Sequence, residues 1–214
     1  MATSLGTRIY MARCGLRWNQ DKLAEAAGID KTTLVKIEKD KSSPSMRILS
    51  KIENALNRNG AFLTSKGAEI TDDYSFTLTG EDWFADLLDD VFDTLSERDD
   101  KELLIAFADD QKSPPHIVEK YRNLRANGVR MRQLVEEGNT YLQGDVSEYC
   151  YIPSMFFENY VHMIYGNKVA MRDGQNSCTV YTNQRLVTKF RNLFNLTWFS
   201  STNKPEMSTA HERF

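Results

Sequence analysis

The apolar positions of residues 20–39 follow the period of two short helices separated by Gly28. In each predicted helix they fall on one face, so the two helices can close on each other. The facing apolar residues are Leu23, Ala24, Ala27, Ile29, Leu34 and Ile37. Ala24 lies where the helices cross, and its small side chain allows a close approach. The pattern therefore predicts a compact pair of helices joined by a tight turn.

The turn and the second helix carry local signals of their own. Glycine at position 28 tolerates the positive φ that suits such a turn. Asp30 is placed to cap the second helix with its carboxylate. The residues predicted to point outward are Lys31, Thr32, Thr33, Val35 and Lys36. None of them is acidic, so this face can approach a groove lined with phosphates.

Residues 6–56 resemble the DNA-binding domain of phage-repressor-type (Xre family) transcription regulators, which carry a helix-turn-helix. The matching elements are Arg13, Trp18-Asn19-Gln20, Leu23-Ala24, Ala27-Gly28-Ile29, Ile37-Glu38 and Ser43-Pro44-Ser45, followed by a last amphipathic helix. The resemblance implies that Lys31, Thr32 and Lys36 point into the major groove of DNA. It also implies a structural pair between Arg13 and Glu38, with a direct DNA contact by Arg13 as the alternative.

Other residues around the motif are candidate contacts to the DNA backbone. The resemblance implies that Gln20 begins the first helix of the motif and touches a phosphate. Asn19 caps that helix, and its side chain lies with the Gln20 amide where a phosphate would bind. The remaining candidates are Thr33, Lys39, Lys41, Arg47, Lys51 and Arg17. Arg17 stands where the family often has a small residue, so it either contacts a phosphate or is simply solvated.

The pattern predicts two domains and two further segments. Residues 1–70 form an all-α helix-turn-helix domain of four to five helices, with a short hairpin at 61–63 and 68–70 as an appendage. Residues 71–100 form an acidic connecting segment that contains an amphipathic helix at 81–95. Residues 101–200 form an α/β layered domain for sensing or dimerisation, and residues 201–214 form a disordered tail.

The α/β domain is predicted from alternating strand and helix patterns. Strands are expected at 103–108, 129–135, 149–152, 159–165, 168–172 and 179–182, and helices at 114–126 and 184–199. The run YGNKVAM, a further strand and a helix carrying FRNLF and Trp198 resemble the effector-sensing domains of bacterial regulators related to the phospholipase D fold. The H-x-K-x-x-x-x-D signature of the catalytic members is absent, so phosphodiesterase activity is not expected.

Charge separates the two halves of the chain. Residues 1–70 hold 12 Lys and Arg against 7 Asp and Glu, a net charge of +5, whereas residues 71–214 hold 15 against 23, a net charge of −8. Only the N-terminal part therefore suits a polyanion. A solvated surface would explain the excess alone, but the excess coincides with the helix-turn-helix pattern. Acidic mimicry of DNA by residues 71–110 is an alternative to a packing role for the helix at 81–95.

The sequence shows no recognisable catalytic or metal-binding pattern. Three scattered cysteines and three dispersed histidines give neither a disulfide framework nor zinc spacing. His162 suits a packed strand residue better than a general base, and Cys150 suits a buried side chain better than a thiol sensor. We therefore expect no enzyme activity, no cofactor and no metal.

The sequence predicts a DNA-binding transcription regulator that acts as a dimeric repressor on an inverted repeat of double-stranded DNA. A dimer is expected because one recognition helix reads only a few base pairs. The alternative is a partner-binding regulatory protein, antitoxin-like or from a phage, whose α/β domain carries the main activity. No run of about 18 apolar residues is present, so we expect a cytoplasmic protein without a membrane partner. An effector, small molecule or protein, is left open.

Overall fold

The computed structural model describes residues 3–96, 98–201, 203–211 and 213–214. The chain divides into two compact units, Met1–Phe76 and Thr77–Phe214. The acidic helix that the sequence placed in a separate connecting segment belongs to the second unit. Among the described residues, no helix is long and apolar enough to cross a membrane.

The first unit contains four helices and a hairpin in its described part. The helices are α1 (Leu5–Gly15), α2 (Gln20–Ala26), α3 (Lys31–Glu38) and α4 (Met46–Asn57), and the hairpin strands are β1 (Ala61–Leu63) and β2 (Ala68–Ile70). Each helix is preceded by an N-cap residue whose side chain accepts a hydrogen bond from a backbone N–H in the first turn. The N-caps of α1 to α4 are Ser4, Asn19, Asp30 and Ser45. These caps explain why four short helices start where they do.

One apolar core holds this unit together. The apolar residues predicted to face each other across α2 and α3 all contribute, and Ile29 packs against the core as a half-buried residue. α1 and α4 supply Ile9, Ile52 and Leu56, which are fully buried. β1 and β2 pair antiparallel with Phe62 opposite Glu69, as the sequence predicted for the hairpin.

The second unit is built on a seven-stranded sheet in the order β3-β9-β8-β7-β4-β5-β6. The strands are β3 (Ser75–Thr79), β4 (Glu102–Ala106), β5 (Arg130–Glu136), β6 (Tyr149–Ile152), β7 (His162–Tyr165), β8 (Lys168–Arg172) and β9 (Ser177–Tyr181). β4, β5 and β6 run parallel. β7 runs antiparallel to β4, β8 to β7 and β9 to β8. Six of the seven strands were predicted.

Helices cover both faces of this sheet. α5 (Trp83–Ser96) and α6 (Pro115–Ala126) contact each other, and Asp90 of α5 accepts hydrogen bonds from Tyr165 and Lys168 on one face. α7 (Gln184–Ser200) packs on β4, β7 and β8 and buries Phe194 and Trp198. Since residues alternate along a strand, Leu104 and Ile164 point to the α7 side. The predicted α/β layered architecture is confirmed.

Two features differ from the sequence prediction. β3 was not predicted, because SFTLT is short and mostly exposed and follows acidic residues that favour a loop. The tail was predicted to be disordered, and this was wrong for its described residues. Phe214 stacks on Tyr121 at 4.8 Å between ring centroids, and the Thr209 N–H donates to the Thr140 carbonyl. Ser208 and Arg213 also donate hydrogen bonds to the Leu142 carbonyl, so several contacts hold a segment that is polar by composition.

Candidate nucleic-acid interface

The turn between α2 and α3 has the backbone geometry that the sequence predicted. Gly28 has φ +54°. Its N–H donates to the Glu25 carbonyl, and the Ile29 N–H donates to the Ala24 carbonyl. This is the Schellman arrangement, in which the residue after the C-cap adopts the left-handed conformation. Lys51 of α4 also donates to the Gly28 carbonyl at 3.1 Å, so this lysine stabilises the turn.

Asp30 starts α3 as predicted. Its carboxylate accepts the Thr32 and Thr33 N–H groups and the Thr32 hydroxyl. These hydrogen bonds, from the Thr32 hydroxyl first, lower the pKa of Asp30. The cap is therefore ionised at neutral pH and fixes both the start and the orientation of the helix.

The outward face of α3 is exposed where the sequence placed its recognition residues. Lys31, Thr32 and Lys36 are exposed, whereas Thr33 and Val35 are half-buried. The helix turns Leu34 and Ile37 into the core, with at most 1% of either side chain exposed. The exposed face therefore combines two cations with a threonine whose hydroxyl is already held by the cap.

Lys31 is tied to α2 by an ion pair with Asp21 at 2.8 Å. Both side chains are more than half exposed, so the pair is screened by solvent and contributes little stability. Contact between Lys31 and DNA would therefore replace a weak interaction.

A buried network fixes the angle of α3 against α1. The Arg13 guanidinium donates twice to the Glu38 carboxylate, at 2.6 and 3.0 Å, and once to the Trp18 carbonyl at 2.8 Å. Less than a tenth of either charged side chain is exposed. The hydrogen bond with Glu38 raises the pKa of Arg13. The structural pair implied by the family resemblance is confirmed.

Gln20 joins this network. Its side-chain N–H donates to Glu38 at 2.7 Å, a bond that the sequence did not indicate. An amide nitrogen carries two N–H groups, so the other N–H is left for the predicted phosphate. Asn19 caps α2 by accepting the Lys22 N–H and is itself exposed.

The loop after α3 is held against the start of α1. Asp40 accepts the Gly6 N–H at 3.2 Å and the Ser4 hydroxyl at 2.6 Å. A Cβ added at Gly6 would lie 2.1 Å from the Ile37 carbonyl oxygen, so only glycine permits this approach. Asp40 has φ +53° and ends α3 with the same pattern as Gly28 ends α2. Neither α3 nor the loop behind it can shift independently of α1.

The remaining basic candidates are on the surface of the first unit. Lys39, Lys41 and Arg47 are exposed. Arg17 is exposed and has φ +58°, which is the left-handed conformation at the end of α1. Its N–H donates to the Cys14 carbonyl and the Trp18 N–H to the Arg13 carbonyl, so α1 ends with a third Schellman motif. Only glycine adopts this conformation without a Cβ clash, so an arginine at this position is strained.

Of the two residues in the second unit that were candidates for chemistry, Cys150 is buried and His162 is half-buried. His162 lies between the rings of Phe107 and Phe190, and burial lowers its pKa. The Cys150 side chain is fully buried, and burial raises its thiol pKa. Among the described residues, no group of three or more His, Cys, Asp or Glu side chains could hold a metal ion.

The sequence did not indicate one buried carboxyl group in this unit, that of Asp110. Asp110 is 5% exposed and accepts the Tyr149 hydroxyl at 2.6 Å and the Gln143 N–H at 2.8 Å. Burial raises its pKa. The acidic surroundings of Asp110 in the sequence gave no sign that this one carboxyl would turn inward.

The comparisons with known proteins agree with the site in the first unit. Residues 9–63 match the helix-turn-helix family model. No curated protein sequence matches the chain.

Three solved structures resemble part of the chain. TrmBL2, an archaeal chromatin protein with a novel mode of DNA binding, is 12% identical over 61% of this chain, with a TM-score of 0.41. The chain spans about half of its length, 53%. Nuc from Salmonella typhimurium, a phospholipase D family member, is 11% identical over 61% of this chain and 97% of its own, with a TM-score of 0.44. NucT from Helicobacter pylori is 9% identical over 61% and 99%, with a TM-score of 0.44.

The family match coincides with the part of the chain that carries the buried α2–α3 core, the capped third helix and its exposed lysines. Residues 9–63 are therefore a helix-turn-helix domain of the DNA-binding type.

Proposed function

We propose that this protein is a transcription regulator that binds double-stranded DNA by inserting α3 into the major groove. The observation that carries this proposal is the exposed face of α3, with Lys31, Thr32 and Lys36 on a helix whose other side is fixed in the core. The net charge of +5 on residues 1–70 supports it, because phosphate contacts supply most of the non-specific affinity for DNA.

The contacts divide by chemistry. Lys31 and Lys36 reach base edges or the nearest phosphates. The Thr32 hydroxyl is held by Asp30, so its methyl group is the part that meets a thymine methyl. The second N–H of Gln20 and the exposed Lys41 bind the backbone and set the register of the domain on the duplex.

The regulator acts as a homodimer on an inverted repeat, and it represses transcription by occupying that site. Support comes from the small number of base pairs that one recognition helix can contact. Two helices about one turn of DNA apart, roughly 34 Å, give the specificity that one helix lacks. Repression is the commoner role among the regulators that the first unit resembles. We place this regulator in the cytoplasm as part of the same proposal.

The second unit has a regulatory role rather than a catalytic one in this proposal. Support comes from Cys150, which is fully buried, and from His162, which is half-buried between the rings of Phe107 and Phe190; neither side chain is presented openly to a substrate. An effector would fit a cavity of about 260 Å³ lined by Trp83, Asp110 and Tyr121 among others. That volume lies just below the roughly 300 Å³ at which pockets for drug-sized ligands begin, so only a small effector would fit.

The test is selection of binding sites from randomised DNA by the purified full-length chain, followed by footprinting of the selected sequence. We expect an inverted repeat with half-sites about one helical turn apart. Selection of no sequence, together with an unrelated subunit that co-purifies in fixed ratio, would support the partner-binding alternative and overturn the proposal.

A further inference from the structure

α7 has two apolar faces, and only one of them is covered. The inner face buries Val187, Phe194 and Trp198 against the sheet. On the outer face Leu193, Leu196 and Phe199 are 54%, 65% and 78% exposed. At about 100° per residue these three side chains lie within roughly 120° of each other, opposite the inner face.

This outer face is a contiguous patch and not a set of scattered residues. Single exposed apolar side chains are ordinary on protein surfaces. Three at successive intervals of three residues are neighbours along the helix and form a stripe. Exposed stripes of this kind mark interaction surfaces, and a helix that is apolar on both faces is normally buried on both.

The order of residues on the stripe points to a second copy of the same helix. Leu196 lies at the centre, with apolar residues three positions away on each side at 193 and 199. Four positions away on each side stand the polar residues Asn192 and Ser200. A two-fold axis through Leu196 therefore brings Leu193 of one helix against Phe199 of the other, and the surface matches itself when the helices run antiparallel.

Charge favours the same arrangement. The exposed basic residues of the outer face, Arg185 and Lys189, lie in the first half of α7. Lys189 is seven residues from Leu196, about 10 Å along the axis. In an antiparallel pair the two Lys189 side chains lie beyond opposite ends of the interface, farther apart than the screening length of about 8 Å. In a parallel pair they would lie side by side and repel each other.

We infer that the outer face of α7 is the homodimer interface, with Leu196 packing on itself across the two-fold axis and Leu193 packing on Phe199. The inference rests on the proposed function, because a dimer formed through α7 would supply the second recognition helix that an inverted repeat requires. The stripe is smaller than the roughly 800 Å² per partner of a standard interface. The dimer should therefore assemble with a dissociation constant on the order of micromolar, and binding to an inverted repeat should strengthen it.

The first test is disulfide trapping of Leu196→Cys in the full chain, with the exposed Cys14 replaced by serine. Cys150 and Cys178 are buried and remain in place. Under mild oxidation we expect a covalent dimer of Leu196→Cys and none of the matched control Lys189→Cys, which stands on the same outer face. Equal trapping of both variants, or of neither, would overturn the inference.

The second test is sedimentation of Leu196→Arg beside the wild type at micromolar concentrations. The side chain is exposed in the monomer, so the variant should keep its circular dichroism spectrum and melting temperature. We expect the dimer dissociation constant to rise about 100-fold, because the two-fold axis brings two positive charges together where two leucines packed. A wild type that stays monomeric, or a dimer that Leu196→Arg leaves intact, contradicts the interface. A dimer that is sensitive to Leu196→Arg but binds no DNA supports the interface and contradicts the proposed regulator instead.

Discussion

Arg17, Gly28 and Asp40 occupy equivalent positions, since each follows the C-cap of a helix and has a positive φ. Only Gly28 has the residue type that adopts this conformation without cost. Asp40 offsets the cost with two hydrogen bonds to the start of α1. Arg17 is exposed, and a strained residue of that kind is a reason to look for a function. The phosphate contact predicted from the sequence would be such a function.

Replacing Arg17 with glycine should stabilise the protein. Glycine removes the clash of Cβ in the left-handed conformation, which amounts to about 1 kcal/mol in the free energy of unfolding. Urea unfolding of Arg17→Gly and of the reverse control, Gly28→Ala, should show changes of opposite sign. DNA affinity of Arg17→Gly should fall at the same time. A variant that gains stability and keeps its full affinity would mean that Arg17 is only solvated.

The buried pair of Arg13 and Glu38 should be far more sensitive than the exposed pair of Lys31 and Asp21. Glu38→Ala leaves the Arg13 guanidinium buried without its counter-ion, at a cost of about 3–5 kcal/mol. Asp21→Ala should change the unfolding free energy by less than about 1 kcal/mol. Denaturant unfolding of both variants checks this. Similar losses in the two would show that Arg13 and Glu38 do not fix α3 as described.

The sequence was informative at these residues to different degrees. Gly28 and Asp30 were predicted because their residue types carry a backbone preference. The contact of Arg13 with Glu38 followed from family resemblance and not from spacing. The bonds from Gln20 to Glu38 and from Lys51 to Gly28 join separate helices, and no local pattern reports such contacts.

At the scale of elements, the apolar periods predicted the helices and six of the seven strands of the large sheet within a few residues. These elements could be predicted because they are buried, and buried strands such as β4 and β8 carry compact apolar runs. β3 lies at the edge of the sheet and buries only Leu78, so its pattern is too weak to distinguish from a loop. The order of the tail was missed because its contacts reach distant parts of the chain, such as the hydrogen bonds from Ser208 and Arg213 to the Leu142 carbonyl, and its polar composition does not report them.

The connection that follows β4 should respond to pH through Asp110. Burial raises the pKa of this carboxyl in the folded state above the value of about 3.9 for an unfolded chain. The folded state therefore holds the proton more tightly, and this contribution to stability is fully present below about pH 4 and is lost as pH rises through the folded-state pKa.

Asp110→Asn should remove that dependence. The asparagine oxygen can still accept from Tyr149 and Gln143 but does not titrate. When unfolding free energies are measured from pH 4 to pH 8, the stability of the variant relative to the wild type should increase as pH rises. A difference between the two that stays constant with pH would mean that Asp110 titrates no differently in the folded state.

At the scale of the whole molecule, the distribution of charge is what the sequence predicted most directly. The excess of basic residues coincides with the unit that carries α3, and the acidic excess lies with the second unit. The two-fold pairing of α7 was not predicted, because the exposed stripe on that helix is visible only once the buried face has been assigned.

DNA binding by the full chain should depend steeply on salt. Each phosphate neutralised by a lysine or arginine contributes about −0.9 to the slope of log K against log salt concentration. Lys41→Ala should lower affinity for all DNA sequences and make the slope shallower by about one for each half-site. Titrations at several salt concentrations check this. An unchanged slope would remove Lys41 from the backbone contacts.

The most direct test of the central claim is a gel-shift titration of Lys36→Ala against the selected operator and its single-base variants. Lys36 lies on the exposed face of α3, so its loss should weaken operator binding and relax the preference at one base pair in each half-site, by about 1–3 kcal/mol. Lys41→Ala, the matched control, should weaken binding to all of these sequences about equally. If Lys36→Ala leaves both affinity and base preference unchanged, α3 is not the element that reads DNA.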